Sequence, residues 1–148
     1  MAIQIDHELK INAPASVVWD VITDTARYGE WNPFVEECHC ELRPGGPINM
    51  KVRLGKATQK ANEVIDEVHE GRGFSYRMKP PPLGALRSYR THDIEPTGDN
   101  SCVYRSHFEL DGWLSPLVGM LMKSKLQEGF DGMSHAIKDR AEELAKAS

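Results

Sequence analysis

The chain has 148 residues, the usual size of one domain and enough for one sizeable hydrophobic core. Apolar residues make up 40% and charged residues 27%, with 22 acidic against 18 basic side chains, a formal charge of −4 at pH 7. That balance argues against nucleic acid, whose binding needs clustered Lys and Arg, and against an anionic membrane surface. No window approaches the roughly 20 apolar residues of a spanning helix, so no integral membrane association is expected. The first residues lack the basic and apolar regions of a signal peptide, and three cysteines do not make a disulfide framework. The expectation is a cytoplasmic protein of one domain, residues 1–148.

In the first segment Ile3, Ile5, Leu9 and Ile11 share one face, with His7 among them, and this period of two predicts a half-buried strand. Asn12-Ala13-Pro14 has the character of a helix start, with Asn12 or Ala13 at the cap and Pro14 at or near the first helical position. Val18, Trp19, Val21 and Ile22 then supply the buried stripe. A second short helix is predicted over 25–31, stopped by Asn32-Pro33 because proline restricts the residue before it. Six strands follow at about 34–42, 48–54, 59–68, 73–79, 85–95 and 101–111, separated by Gly- and Pro-rich breaks. Short connections without helices imply an antiparallel meander. After Ser115-Pro116 the period changes. Leu126, Phe130, Met133, Ile137, Ala141 and Leu144 recur every three or four residues, the stripe of a long amphipathic helix. Gly129 and Gly132 inside it suggest a close approach to another backbone, or a kink.

These elements fit an α+β fold in which a curved sheet wraps a long helix and leaves a cavity between them. Alternation then names the inward side chains. On the strands at 48–54, 73–79 and 101–111 they are Met50 and Val52, then Tyr76 and Met78, then Tyr104, Ser106 and Phe108. The strand at 85–95 is unusual, because Arg90 and His92 share a face with Leu86 and Ile94. A charge directed inward must be paired or must bind something charged. Arg90 and His92 are therefore suited either to a ligand carboxylate or carbonyl, or to an internal ion pair with Glu63 or Glu67.

Several motifs resemble a known family. They include Ala13-Pro14-Ala15-Ser16-Val17-Val18-Trp19-Asp20 and Tyr28-Gly29-Glu30-Trp31-Asn32-Pro33-Phe34. Others are Glu41-Leu42-Arg43-Pro44-Gly45-Gly46, Asp93-Ile94-Glu95-Pro96, Phe108-Glu109-Leu110-Asp111-Gly112 and Gly129-Phe130-Asp131-Gly132-Met133. Their order along the whole chain resembles the SRPBCC (START-like, helix-grip) superfamily, in its polyketide cyclase/dehydrase and lipid-transport group. The resemblance implies a seven-stranded antiparallel sheet gripping the C-terminal helix, with two short helices between strands 1 and 2. Its members share no single catalytic set, so it carries over no catalytic residue.

The expected function is binding of a small, largely hydrophobic molecule, such as a lipid, polyketide or aromatic metabolite. Met50, Val52, Tyr76, Met78, Phe108, Phe130 and Met133 would form the wall, with Arg90 and His92 at the polar end. Tyr104 and Ser106 offer hydroxyls to the ligand or simply pack. The alternatives are a cyclase or dehydratase using His92 as acid or base with Arg90 or Tyr104 beside it, and a co-chaperone-like interaction module. Cys38-His39-Cys40 alternates across a strand and lacks a second ligand pair, so no metal is expected; without a phosphate or dinucleotide glycine loop, no cofactor is expected either. The protein would act as a monomer or homodimer. Met120, Met122 and Met133 are further candidates for an adaptable apolar wall, and the 80–85 loop for a lid.

Overall fold

In the computed structural model, which describes residues 3–79 and 82–147, the chain begins with β1 (Ile3–Ile11), α1 (Ala15–Thr23), a 3-10 turn (Thr25–Arg27) and α2 (Tyr28–Trp31). There follow β2 (Val35–Cys40), β3 (Pro47–Leu54), β4 (Ala57–His69), β5 (Gly73–Met78), a 3-10 turn (Pro82–Gly84), β6 (Arg87–Gly98), β7 (Ser101–Asp111) and α3 (Ser115–Ala147). The strands form one antiparallel sheet in the order β1-β7-β6-β5-β4-β3-β2. The sheet curves around α3, which is the helix-grip arrangement. Among the described residues no helix is long and apolar enough to cross a membrane.

The alternation of β7 is complete: Cys102, Tyr104, Ser106, Phe108 and Leu110 are buried, and the residues between them are half-exposed. Outside, Arg105 pairs with Glu8 and Glu95 and His107 with Asp6 across neighbouring strands, and His107 also pairs with Glu109 along β7. Such exposed pairs contribute little each, so the inner face carries the stability. Register shifts in β4 between Ile65 and Val68, and in β6 between Pro96 and Gly98, add local twist. The second one lets β6 run past Pro96, where the sequence pattern had placed a turn.

Three boundaries differ from expectation. The segment at 25–31 is a 3-10 turn followed by a single α-turn rather than one helix. Pro14, not Asn12 or Ala13, occupies the cap of α1, and no side chain closes it. Asn12 instead donates its backbone N–H to the Glu142 carboxylate at 2.8 Å, tying the start of α1 to the end of α3. Leu144 is 40% exposed and lies outside the packed stripe.

The helical glycines have different partners. A Cβ on Gly129 would lie 2.2 Å from two atoms of the Phe34 ring, whereas one on Gly132 would meet only Pro33 at 3.4 Å. The close approach is thus to an aromatic side chain, not to backbone. Phe34 in turn meets Phe130 edge-on at 4.9 Å between ring centroids, joining the β2 entry to α3. Gly132→Ala should therefore change stability in urea unfolding by no more than about 1 kcal/mol, mostly as a gain in helix propensity. Gly129→Ala must displace Phe34 and should lose about 1–3 kcal/mol in the same measurement.

Candidate functional site

Pairing of β4, β5, β6 and β7 brings Tyr76 opposite Arg90 and Arg90 opposite Phe108, all inward. Two residues along, Phe74, His92 and Ser106 form the next row. Helix α3 covers both rows. Phe130 lies over the first, with its ring 4.3 Å from the Arg90 guanidinium carbon and 4.7 Å from the Phe108 ring. That is a cation–π contact in a dry setting, where such contacts are strongest.

A cavity of about 280 Å3 opens beside the first row, between α3 and the β3–β6 part of the sheet. From the sheet it is walled by Met50, Val52 and Leu54 of β3, Tyr76 and Met78 of β5, and Phe108 and Leu110 of β7. Helix α3 supplies Val118, Met122, Leu126 and Phe130. Polar groups on the wall are Ser88, Arg90 and Glu63, while exposed Lys60, Asn62 and Lys79 stand at the rim. Seven of the residues expected at the site border this space: Met50, Val52, Tyr76, Met78, Arg90, Phe108 and Phe130.

His92, Tyr104, Ser106 and Met133 do not border it; they fill the core behind Arg90. Met122 lines the wall, but Met120 is 77% exposed. Of the 80–85 loop, Pro80 and Pro81 lie outside the described residues; Leu83 has a left-handed backbone at φ 65° and projects into solvent. Cys38 is buried and His39 faces outward to Glu37, as alternation requires. Burial pushes the Cys38 thiol up to about 12, so it is inert at neutral pH. Among the described residues no three His, Cys, Asp or Glu side chains are placed to hold a metal.

Arg90 on the cavity wall and His92 behind it are each 2% exposed. Burial holds the His92 imidazole well below its ordinary pKa, and the Arg90 charge lowers it further. The ring is therefore neutral, and its Nδ1 shares a hydrogen bond of 2.6 Å with the Tyr104 hydroxyl. Tyr104 also lies beside the Arg90 guanidinium, so one hydroxyl joins the two. Arg90 directs Nη2 toward the Met133 sulfur at 3.8 Å, and its Nε has no hydrogen-bond partner among the described residues. Arg90 forms no ion pair with a carboxylate among them either. The expectation of Glu67 as its partner fails, because Glu67 points outward beside His69. Glu63 is the acidic group on the cavity wall, but it does not reach Arg90.

Glu63 is the acidic cavity residue that sequence reasoning passed over as a ligand contact, alongside Leu54, Ser88, Leu110, Val118 and Leu126. The signal was available: buried Ile65 sets the phase of β4, and counting back by two places Glu63 and Ala61 inward. Burial pushes the Glu63 carboxyl up to about 7, against a smaller downward pull from Arg90. Tyr76 is likewise pushed up by burial and stays protonated.

The model of one protein family, described as "Polyketide cyclase / dehydrase and lipid transport", matches residues 2–142. No curated protein gives a significant sequence match. Among solved structures, the chain is similar to a START superfamily protein from Mycobacterium smegmatis, at 16% identity and TM-score 0.76, over 95% of this chain and 98% of that one. It is similar to the Zhui aromatase/cyclase from Streptomyces sp. R1128 at 14% identity and TM-score 0.74, over 99% and 94%. A norcoclaurine synthase point mutant from Thalictrum flavum, in complex with a transition-state analogue, gives 19% identity and TM-score 0.72, over 100% and 98%. At these identities the likeness shows the fold.

The raised Glu63 pKa has a consequence for stability. The folded protein holds this proton up to about pH 7, while an unfolded chain releases it near 4.5. Stability is therefore lost as pH rises through that window. Glu63→Gln should unfold at higher denaturant than the parent at about pH 8, by about 2 kcal/mol after allowance for partial exposure, and the gain should vanish at about pH 4.5. A gain of equal size at both pH values would show that Glu63 is not held protonated.

Proposed function

The chain belongs to the polyketide cyclase / dehydrase and lipid transport family, and from that premise we propose that it binds a small, mostly apolar molecule in the cavity between α3 and the sheet. The molecule is of lipid, polyketide or aromatic-metabolite type. The observation that carries this reading is the wall itself: a space of about 280 Å3, aliphatic and aromatic on most sides, with Arg90, Glu63 and Ser88 as its polar features. Ligand sites commonly combine a largely apolar lining with a few convergent polar groups, and typical volumes start at roughly 300 Å3. The size suits a compact ligand or one end of a longer one. Tyr76, Phe108 and Phe130 present faces and edges to a planar ring, and Met50, Met78 and Met122 adjust to its outline.

One observation favours a second reading, a cyclase- or dehydratase-type reaction in the same space. Glu63 titrates near neutrality where it faces the ligand, as a general acid or base requires. His92 is remote from that role, since it meets the cavity only through Tyr104 and Arg90. Turnover lost in Glu63→Gln with ligand retention intact would separate catalysis from binding.

Native mass spectrometry tests the primary reading. The purified protein should carry a small-molecule adduct that denaturation removes, and incubation with 2-acetylnaphthalene should add that mass to any unoccupied fraction. Ala61→Phe, which fills the cavity from β4, should abolish both while preserving cooperative unfolding. Absence of both adducts from the parent protein would overturn it.

A further inference from the structure

We propose that the cavity selects a carboxylic acid: the ligand carboxylate pairs with Arg90 and accepts a second hydrogen bond from Glu63 in its protonated form. The inference rests on the apolar-ligand reading above and adds the polar group that the ligand must carry.

The argument starts from a cation with unused donors. Arginine remains charged, and a buried charge calls for an anion or a full set of hydrogen bonds. Arg90 has a ring face, a thioether sulfur and a tyrosine hydroxyl around it, and an Nε without a partner. None of these is an anion. The side chain borders the cavity, so an anion arriving there meets a guanidinium already held in place by Phe130.

Glu63 does not pair with it in this structure. It lies opposite Met78, whereas Arg90 lies opposite Tyr76, so a whole strand and a two-residue offset separate them. Strand spacing and rise put their backbones roughly 10–12 Å apart, and the side chains face the same empty space from its two sides. One carboxylate can bridge that gap, with one oxygen on Arg90 and the other accepting the Glu63 O–H. The geometry requires Glu63 to be a donor, because two carboxylates in contact cannot both remain charged.

The surroundings support this protonation. The titratable neighbours on the wall and rim are Arg90 from β6, Tyr76 from β5, Lys79 just after β5 and Lys60 on β4 itself. The cavity linings from β3, β7 and α3 carry no titratable group. Burial already pushes the Glu63 carboxyl up to about 7, with Arg90 opposing it. A ligand anion that occupies Arg90 removes that opposition and adds a like charge, so binding draws one proton from solvent.

The test compares two probes of matched shape on the intact protein by titration calorimetry: 2-naphthoate, ionised throughout, and the neutral 2-acetylnaphthalene. The expected result is tighter binding of naphthoate at about pH 6, with its affinity falling about thirtyfold by about pH 8.5 as Glu63 ionises, while the ketone is unaffected. Titration in buffers of different ionisation enthalpy should show about one proton taken up per naphthoate at about pH 8.5. In Glu63→Gln, whose amide donates at every pH, the pH dependence should disappear. Arg90→Met should erase the preference for naphthoate. Should that variant not fold, the parent comparison and Glu63→Gln decide the matter. Equal affinities for the two probes, or a pH dependence that survives in Glu63→Gln, would overturn the inference and leave the apolar-ligand reading standing. Failure of both probes to bind would overturn that reading, and this inference with it.

Discussion

Arg90 holds its guanidinium over the Phe130 ring, 98% out of water, with no carboxylate paired to it among the described residues. Removing a cation from water costs several kcal/mol even after relaxation, and the surroundings are organised around that cost. Phe130 offers its ring face, Met133 a polarisable sulfur, and Tyr104 an oxygen. Burial, with the Arg90 charge adding to it, keeps His92 neutral two residues along, where it shares a hydrogen bond with Tyr104. One strand thus carries two inward polar residues with different chemistry. Arg90 is charged at the cavity wall, and His92 is uncharged in the sealed core.

The position of α3 decides which inward residues meet empty space. Over its C-terminal half, Met133, Ile137 and Ala141 are at most 1% exposed, and the helix is anchored through Glu142 to Asn12 and through Lys138 to the Lys10 carbonyl. Over its N-terminal half, Val118, Met122 and Leu126 line the cavity. Between the two stretches lies Gly129, where the missing side chain admits the Phe34 ring. Ser134 fits the tight half: buried among the core residues, its hydroxyl donates to the Phe130 carbonyl and needs nothing from the sheet.

Period-two alternation was enough to name the inner face of most strands, and it placed Arg90 and His92 inward without any knowledge of the sheet order. It could not give depth. Tyr104 and Phe108 share a face of β7 and are equally inward by pattern, yet Phe108 borders the cavity and Tyr104 the sealed core. That difference comes from which residues of the distant helix α3 lie nearby, and alternation along one strand does not report them. Glu63 was hidden for another reason. Much of β4 is polar and exposed, so the strand shows little hydrophobic alternation, and only Ile65 sets its phase. Met120 and Met122 show the helical form of the same limit, since two residues along an α-helix turn a side chain from wall to solvent.

The fold alone is shared by proteins described as a START superfamily member, an aromatase/cyclase and a norcoclaurine synthase, at identities of 14–19%. What separates such proteins must therefore lie in the few polar groups on the wall. Here those groups leave little choice of acid–base chemistry. Tyr76 keeps its proton, Arg90 keeps its charge, and His92 is behind the wall. Glu63 alone among the wall residues changes protonation near neutral pH. A ligand that alters the charge at Arg90 must move the Glu63 equilibrium, because the two face one small, poorly solvated space. In the proposed complex, binding and protonation would be coupled by that proximity, whether the bound molecule is then carried or converted.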